Sequence, residues 1–236
     1  MKIGIVTAMA EETLLIYKKL GNVIKTERVC GAEISTIELS ENTVYLATSG
    51  VGEINAATTV QLLKDLYKVE AILNFGFVGS LNSDIDLGEL VIADRVCHYQ
   101  YDVSVLDNIR VGQYSENEDL YFYLEAELIE RVNKALAQPL RKVAVASADA
   151  FVASTEKKKQ LREEFGCDIC EMELAGLAIA CRRNELPLLS VKVISDKADD
   201  GAFVCFEDIV NKGLSRYEEI LPAVLNAVTQ NNQMTV

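Results

Sequence analysis

The amino-acid sequence predicts an α/β fold: a mixed, mostly parallel central sheet with helices on both faces, a three-layer sandwich. Three observations lead there. Apolar, β-branched runs of strand length alternate with longer segments of helical periodicity, a pattern that builds parallel sheets. The chain has 236 residues, 50% hydrophobic and 25% charged, which is ordinary globular composition and enough for one sizeable core. Only 3 prolines occur and no Pro/Gly/Ser-rich linker interrupts the chain, so one domain over 1–236 is expected.

Lys2–Ala8 is apolar and β-branched and reads as a buried strand. Ala10–Leu20 follows, with Leu14, Leu15 and Leu20 at helical spacing. Glu33–Leu39 and Val44–Thr48 read as strands joined by a hairpin turn at Glu41 and Asn42, an antiparallel edge. Ile54–Tyr67 is amphipathic, with Ala57, Val60, Leu63 and Tyr67 on one face. Ala71–Phe75 and Glu89–Cys97 read as strands, Tyr121–Leu136 as a helix, Lys142–Ala146 as a strand and Thr155–Phe165 as a charged helix. Asp168–Met172 is a short strand, Leu174–Arg183 a helix, Leu188–Ser195 a strand and Phe206–Val228 a closing helix. Ligands of such sheets bind beyond the carboxyl ends of the strands, which selects Ala8–Glu12, Gly76–Ser80, Ser147–Val152 and Ser195–Asp196.

Composition excludes several functions. Lys plus Arg is 23 and Asp plus Glu is 36, a net charge of −13. A surface this acidic repels phosphate backbones, so nucleic acid is not an expected partner, whereas a neutral or cationic small molecule meets no such barrier. The start, MKIGIVTAMAEE, lacks the apolar core and cleavage site of a signal peptide. No apolar window of about 18 residues occurs, so no membrane span is expected. The 6 cysteines are scattered through apolar stretches and read as reduced thiols of a cytoplasmic protein. Cys167 and Cys170 form a C-x-x-C, but neither a second pair nor histidines accompany them, so they read as structural. His98 is the single histidine. That excludes a multi-histidine metal site and leaves acid–base work to carboxylates, with His98 itself reading as a structural residue at a strand end.

Two glycine-rich turns follow strands. Ser49-Gly50-Val51-Gly52 lacks the third glycine of a dinucleotide fingerprint, and Glu53 at the helix start opposes a pyrophosphate. It reads as a tight turn that lets backbone approach a ligand closely. Asn74–Ser80 lacks the Lys of a phosphate-binding loop, and no cofactor is expected. Carboxylates recur at the strand ends: Glu11, Glu12, Asp149, Glu171, Glu173 and Asp196. Each alone suits a helix cap or first-turn charge. Several on one rim are harder to dismiss, because like charges in a shared cleft repel.

Met1–Glu12, Ser49–Gly52, Ser147–Val152, Glu171-Met172-Glu173 and Ile194-Ser195-Asp196, in that order, resemble the 5′-methylthioadenosine/S-adenosylhomocysteine nucleosidases of the nucleoside phosphorylase and nucleosidase superfamily. The resemblance implies a cytoplasmic homodimer of α/β sandwiches that hydrolyses the adenine–ribose bond of a purine nucleoside in methionine salvage, without a cofactor. By position, Glu12 falls where the family activates water and Asp196 where it protonates adenine N7. Glu173 falls where the ribose hydroxyls are held, with Met172 against the sugar and Ser195 before the acid. Phe151 matches the aromatic on the purine, and Val152 the residue whose backbone meets the purine edge. Met9, Val51 and Phe206 match the lining of the sugar and 5′ group, and Gly79 stands in the second glycine turn. The chemistry suits these types: an oxocarbenium-like state needs a protonated leaving base and an arriving water.

Three departures mark the chain. Phe77-Val78-Gly79 stands where the family has Ser-Ala-Gly, which puts a bulky ring near the expected ribose, either facing it or turned into the core. Lys192 stands for an arginine, keeping the charge and losing the forked donors. Val103–Tyr114, which in the family helps a neighbouring subunit close the 5′ pocket, is only loosely similar. Two alternatives stay open. A purine nucleoside phosphorylase needs arginines for the phosphate dianion, and none lies in Ala8–Glu12, Ser49–Gly52 or Gly76–Ser80. A non-catalytic nucleoside-binding protein has no need of these carboxylates, since an amide or apolar lining binds at less desolvation cost.

Overall fold

The structure, a computed structural model, describes residues 1–21, 23–202 and 206–229, with backbone alone for residues 15, 206–216 and 218. β1 (Lys2–Thr7) runs parallel to both its neighbours, β4 (Asn42–Thr48) and β5 (Ala71–Ser80). All its residues but Lys2 are buried, as expected of a strand covered on both faces. β2 (Val23–Val29) and β3 (Ala32–Leu39) extend the sheet from β4 as an antiparallel meander.

On the other side, β5 pairs in parallel with β10 (Leu188–Asp196), and β10 pairs antiparallel with β6 (Leu90–His98). β6 runs parallel to β8 (Arg141–Ser147), and β8 to the short β9 (Ile169–Glu171). β9 returns antiparallel to β5, which closes β5, β10, β6, β8 and β9 into a barrel. β7 (Phe122–Tyr123) hangs on β6. The sheet is mixed as expected, and among the described residues its strand pairings divide equally between the two directions. Two of the pairings that complete the barrel, β9 with β5 and β10 with β6, are antiparallel.

The helices are α1 (Ala10–Leu20), α2 (Glu53–Leu62, continued by a π-helical turn to Tyr67), α3 (Ser104–Asp107), α4 (Ala126–Ala135), α5 (Thr155–Phe165), α6 (Leu174–Arg183) and α7 (Phe206–Thr229). α2 packs on α6, while α1 and α4 pack on α7. α2 and α6 meet so closely at Gly176 that a Cβ there would lie 2.3 Å from the Glu53 carbonyl oxygen. α7 is pinned under the sheet by Tyr217, whose hydroxyl donates to the Gly76 carbonyl at 2.7 Å and accepts from the Gly76 N–H at 3.2 Å. Tyr121–Leu136 was expected to be one helix; instead residues 122–123 form β7 and α4 begins at Ala126. Tyr121, Leu124 and Leu128 have helical spacing, but pairing of Tyr123 with Arg95 on β6 overrides it.

Candidate active site

A cavity of about 540 Å³ opens at the carboxyl ends of β1, β5, β9 and β10. Of the residues singled out in the sequence, Met9, Glu12, Val51, Phe77, Gly79, Phe151, Met172, Glu173, Ser195 and Asp196 all line it. Val152 does not line it; its side chain is buried in a second apolar cluster with Tyr99, Leu161 and Cys170. Phe206 begins α7, but its side chain lies outside the described residues, as does Cys205.

Glu12 sits in the first turn of α1 with both oxygens held by backbone. Oε2 accepts from the N–H groups of Ala8 and Met9 at 2.8 and 3.0 Å, and Oε1 from that of Phe77 at 3.0 Å. Burial raises its pKa; the hydrogen bond from Met9, the Lys192 charge, and the bonds from Phe77 and Ala8 oppose the rise. Gly76 lies beneath this carboxylate. A Cβ there would come 3.0 Å from Glu12 Oε1 and 3.3 Å from Lys192 Nζ, so only glycine lets the two charges meet over the strand.

Glu171 and Glu173 straddle the end of β9. Glu171 faces the start of α6, where its Oε2 accepts from the N–H groups of Glu173 and Leu174 at 3.0 and 2.9 Å. The Lys192 ammonium donates to the same oxygen at 3.2 Å, and both side chains are 1% exposed. Glu171 is therefore a helix cap paired with a buried cation, as the simple reading of strand-end carboxylates anticipates. Glu173 points the other way. Its Oε1 accepts from the Gly52 N–H at 3.0 Å, and burial followed by the neighbouring Glu171 charge raises its pKa to about 7. Gly52 has φ +106°, a left-handed conformation, and a Cβ there would press to 2.8 Å of Asp149 Oδ1. Asp149 caps α2 from a distant loop, accepting the Glu53 N–H at 2.7 Å.

Asp196 closes the far end. Oδ1 accepts from the Ala198 N–H at 2.7 Å and Oδ2 from the Ser195 hydroxyl at 2.9 Å; burial raises its pKa against both bonds. Gly79 keeps the floor open there, since a Cβ would lie 2.9 Å from Asp196 Oδ1 and 3.1 Å from Cys170 Sγ. Cys170 lines the cavity, which the sequence reading missed. The five described cysteines are free, and burial raises Cys167 and Cys170 far from the thiolate range. The signal for Cys170 was its place on β9 between Ile169 and Glu171, adjacent to the acidic pair. Phe77 lines the cavity and also packs along the edge of the main core. Among the described residues no group of histidine, cysteine and carboxylate side chains is arranged to hold a metal ion.

Buried carboxylates gathered round one cavity at the strand ends of a mixed sheet define an α/β enzyme that works on a small molecule by acid–base chemistry. Residues 2–226 match the model of the phosphorylase superfamily. The chain is 31% identical over 229 residues to the 5′-methylthioadenosine/S-adenosylhomocysteine nucleosidase of Haemophilus ducreyi, spanning 96% of this chain and 98% of that one. The solved nucleosidase of the same name from S. pneumoniae, bound to a transition-state inhibitor, superposes with a TM-score of 0.87 at 30% identity, over 97% of this chain and all of that one. Futalosine hydrolase of Helicobacter pylori superposes with a TM-score of 0.88 at 26% identity, over 95% and 97%. The chain belongs to the phosphorylase superfamily and, within it, to the family of the methylthioadenosine/S-adenosylhomocysteine nucleosidases. Its fold is the nucleoside phosphorylase/nucleosidase fold, with a mixed sheet and flanking helices.

Proposed function

We propose that the protein hydrolyses the N-glycosidic bond of 5′-methylthioadenosine, S-adenosylhomocysteine or a related purine nucleoside, releasing adenine and the ribose derivative. The observation that carries this is the convergence of Glu12, Glu173 and Asp196 on one cavity, each buried and each held by a backbone N–H. Burial raises the proton affinity of Asp196, which suits it to deliver a proton to N7 of the departing adenine, so the base leaves neutral. Glu12 takes a proton from the attacking water, whose oxygen bonds to C1′ as the C–N bond breaks. Its three backbone donors and the nearby Lys192 charge favour the ionised form this requires. Glu173 accepts from the vicinal ribose hydroxyls and faces the positive charge of the oxocarbenium-like state.

Phosphorolysis is disfavoured because the described residues lining the cavity include no arginine to clamp a phosphate dianion. The likeness to futalosine hydrolase supports futalosine as a second substrate for the same reaction class. The same reading takes the chain as one domain with helices in layers on both sheet faces. The α2–α6 pair and the α1–α4–α7 group support it. It also takes the protein as a cytoplasmic homodimer. Exposed apolar side chains support the dimer, Val105 at 94%, Leu106 at 82% and Ile54 at 77%, and free cysteines support the compartment. No helix among the described residues is long and apolar enough to cross a membrane.

The test is release of free base from methylthioadenosine, S-adenosylhomocysteine and futalosine, with and without inorganic phosphate. A phosphate-independent rate yielding the free sugar is expected; strict phosphate dependence with a ribose 1-phosphate product would overturn it.

A further inference from the structure

Glu53 directly follows the turn that holds Glu173, yet it does not line the cavity and takes no part in the chemistry proposed above. Its carboxylate is nonetheless buried and fully engaged. Oε1 accepts from the Ser147 hydroxyl at 2.9 Å, and Oε2 lies 2.8 Å from Nε2 of His98, the only histidine in the sequence. The other ring nitrogen of His98, Nδ1, is 2.9 Å from the Tyr114 hydroxyl, and the Tyr114 ring stacks on Tyr101 with centroids 3.9 Å apart. The Ser147 hydroxyl in turn accepts from the Ala175 N–H at 3.0 Å, in the first turn of α6. Glu53 therefore joins the start of α2 to the start of α6, the elements that meet at Gly176.

Those two helix starts are what hold Glu173. It is the residue just before α6, and its carboxylate is gripped by Gly52, the residue just before α2. A buried carboxylate whose partners are all side chains of other segments is a poor way to fill space and a good way to fix a distance. We propose that Glu53, oriented by His98 and Ser147, is a positioning residue for Glu173, setting the separation of α2 and α6 and with it the grip on the ribose hydroxyls. The inference rests on the role given to Glu173 above.

The test compares ligands that do and do not use Glu173. Glu53→Gln and His98→Gln should each lower kcat/KM for methylthioadenosine by about tenfold, the loss of roughly one well-placed hydrogen bond. The inhibition constant of free adenine, which lacks the sugar, should stay within about twofold of the parent's. Tyr114→Phe removes one oxygen and is the mildest change, so it stands in for any variant that does not fold; a smaller loss of the same kind is expected. A general structural role would weaken adenine and nucleoside together, and that result, or unchanged kcat/KM in folded variants, would overturn the inference. Glu173→Gln separates it from the function it rests on. If Glu173→Gln costs nucleoside turnover while Glu53 and His98 variants do not, only the positioning role fails. If the parent protein turns over no nucleoside, the function itself fails.

Discussion

A groove of about 770 Å³ along residues 116–125 and 178–188 and the cavity of about 540 Å³ at the strand ends are both lined by several carboxylates. In the groove, Glu116, Glu118, Glu125 and Glu185 are exposed, so water solvates them and their fields are weak. In the cavity, Glu12, Glu171, Glu173 and Asp196 are all less than a tenth exposed, and every one accepts from backbone N–H groups. Room is thus greater, and formal charge no smaller, where no chemistry is expected. What separates the two regions is the local medium. Removing water raises the cost of each charge and shifts the proton affinity of the groups that bear it, and a hydrolytic site needs such shifts.

The sharpest way to break this contrast is to remove one carboxyl from each region. Asp196→Asn should lower turnover at least about 10²-fold, since the amide cannot pass a proton to the leaving base, and Glu12→Gln should do likewise. Glu118→Gln and Glu185→Gln in the groove should leave the rate within about twofold, as surface changes normally do. Steady-state rates of adenine release measure all four. Equal losses in both regions would mean that burial does not mark the site.

The carboxylates were legible in the sequence because strand-end positions follow from apolar runs; β1, β10 and α6 were read from such runs nearly to their bounds, and α5 from its charged helical stretch. β2 was missed: four of its first residues, Val23 to Thr26, are exposed, so no alternation betrays it. β7 spans only two residues and exists through pairing with β6. Barrel closure depends on contacts such as Gly79 with Cys170, far apart in sequence, which no local pattern encodes. The partners of the site were hidden for the same reason. Asp149 reads as a helix cap, but nothing local tells that the helix is α2, nor that Glu171 meets Lys192 while Glu173 meets Gly52.

A second prediction uses pH to sharpen the contrast. Glu173 has an ordinary value of 4.5 and is raised to about 7 in the fold, so between those limits the folded chain binds more protons than the unfolded one. Stability should therefore be fully present below about pH 4.5, as far as this group is concerned, and decline as pH rises to about 7. Burial raises Glu12 and Asp196 in the same direction, so they add to the decline. A shift of this size corresponds to roughly 3 kcal/mol at most, reduced by the response of its neighbours. Urea denaturation at pH 5 and pH 8 should show the parent losing stability between them and Glu173→Gln losing less. An equal loss in both would show that this carboxyl is not under strain.

The smallest effect is expected at Phe77, the residue that makes this cavity differ most from the family pattern. Its N–H serves Glu12 in any side-chain context, so the ring is free to vary without disturbing that bond. Phe77 lines the cavity and also packs against the main core. If the ring faces the site, it puts a large apolar surface where the resemblance implies a small hydroxyl, which excludes a water and favours apolar substrate atoms. Phe77→Ser should then shift the ratio of kcat/KM between methylthioadenosine and adenosine by about tenfold, roughly 1.4 kcal/mol of differential transition-state binding. The change also deletes packing, so Tm should fall, but a packing loss acts on both substrates alike and leaves their ratio alone. The ratio is therefore the deciding measurement: if it stays constant while Tm drops, Phe77 supports the wall of the cavity without choosing what enters it.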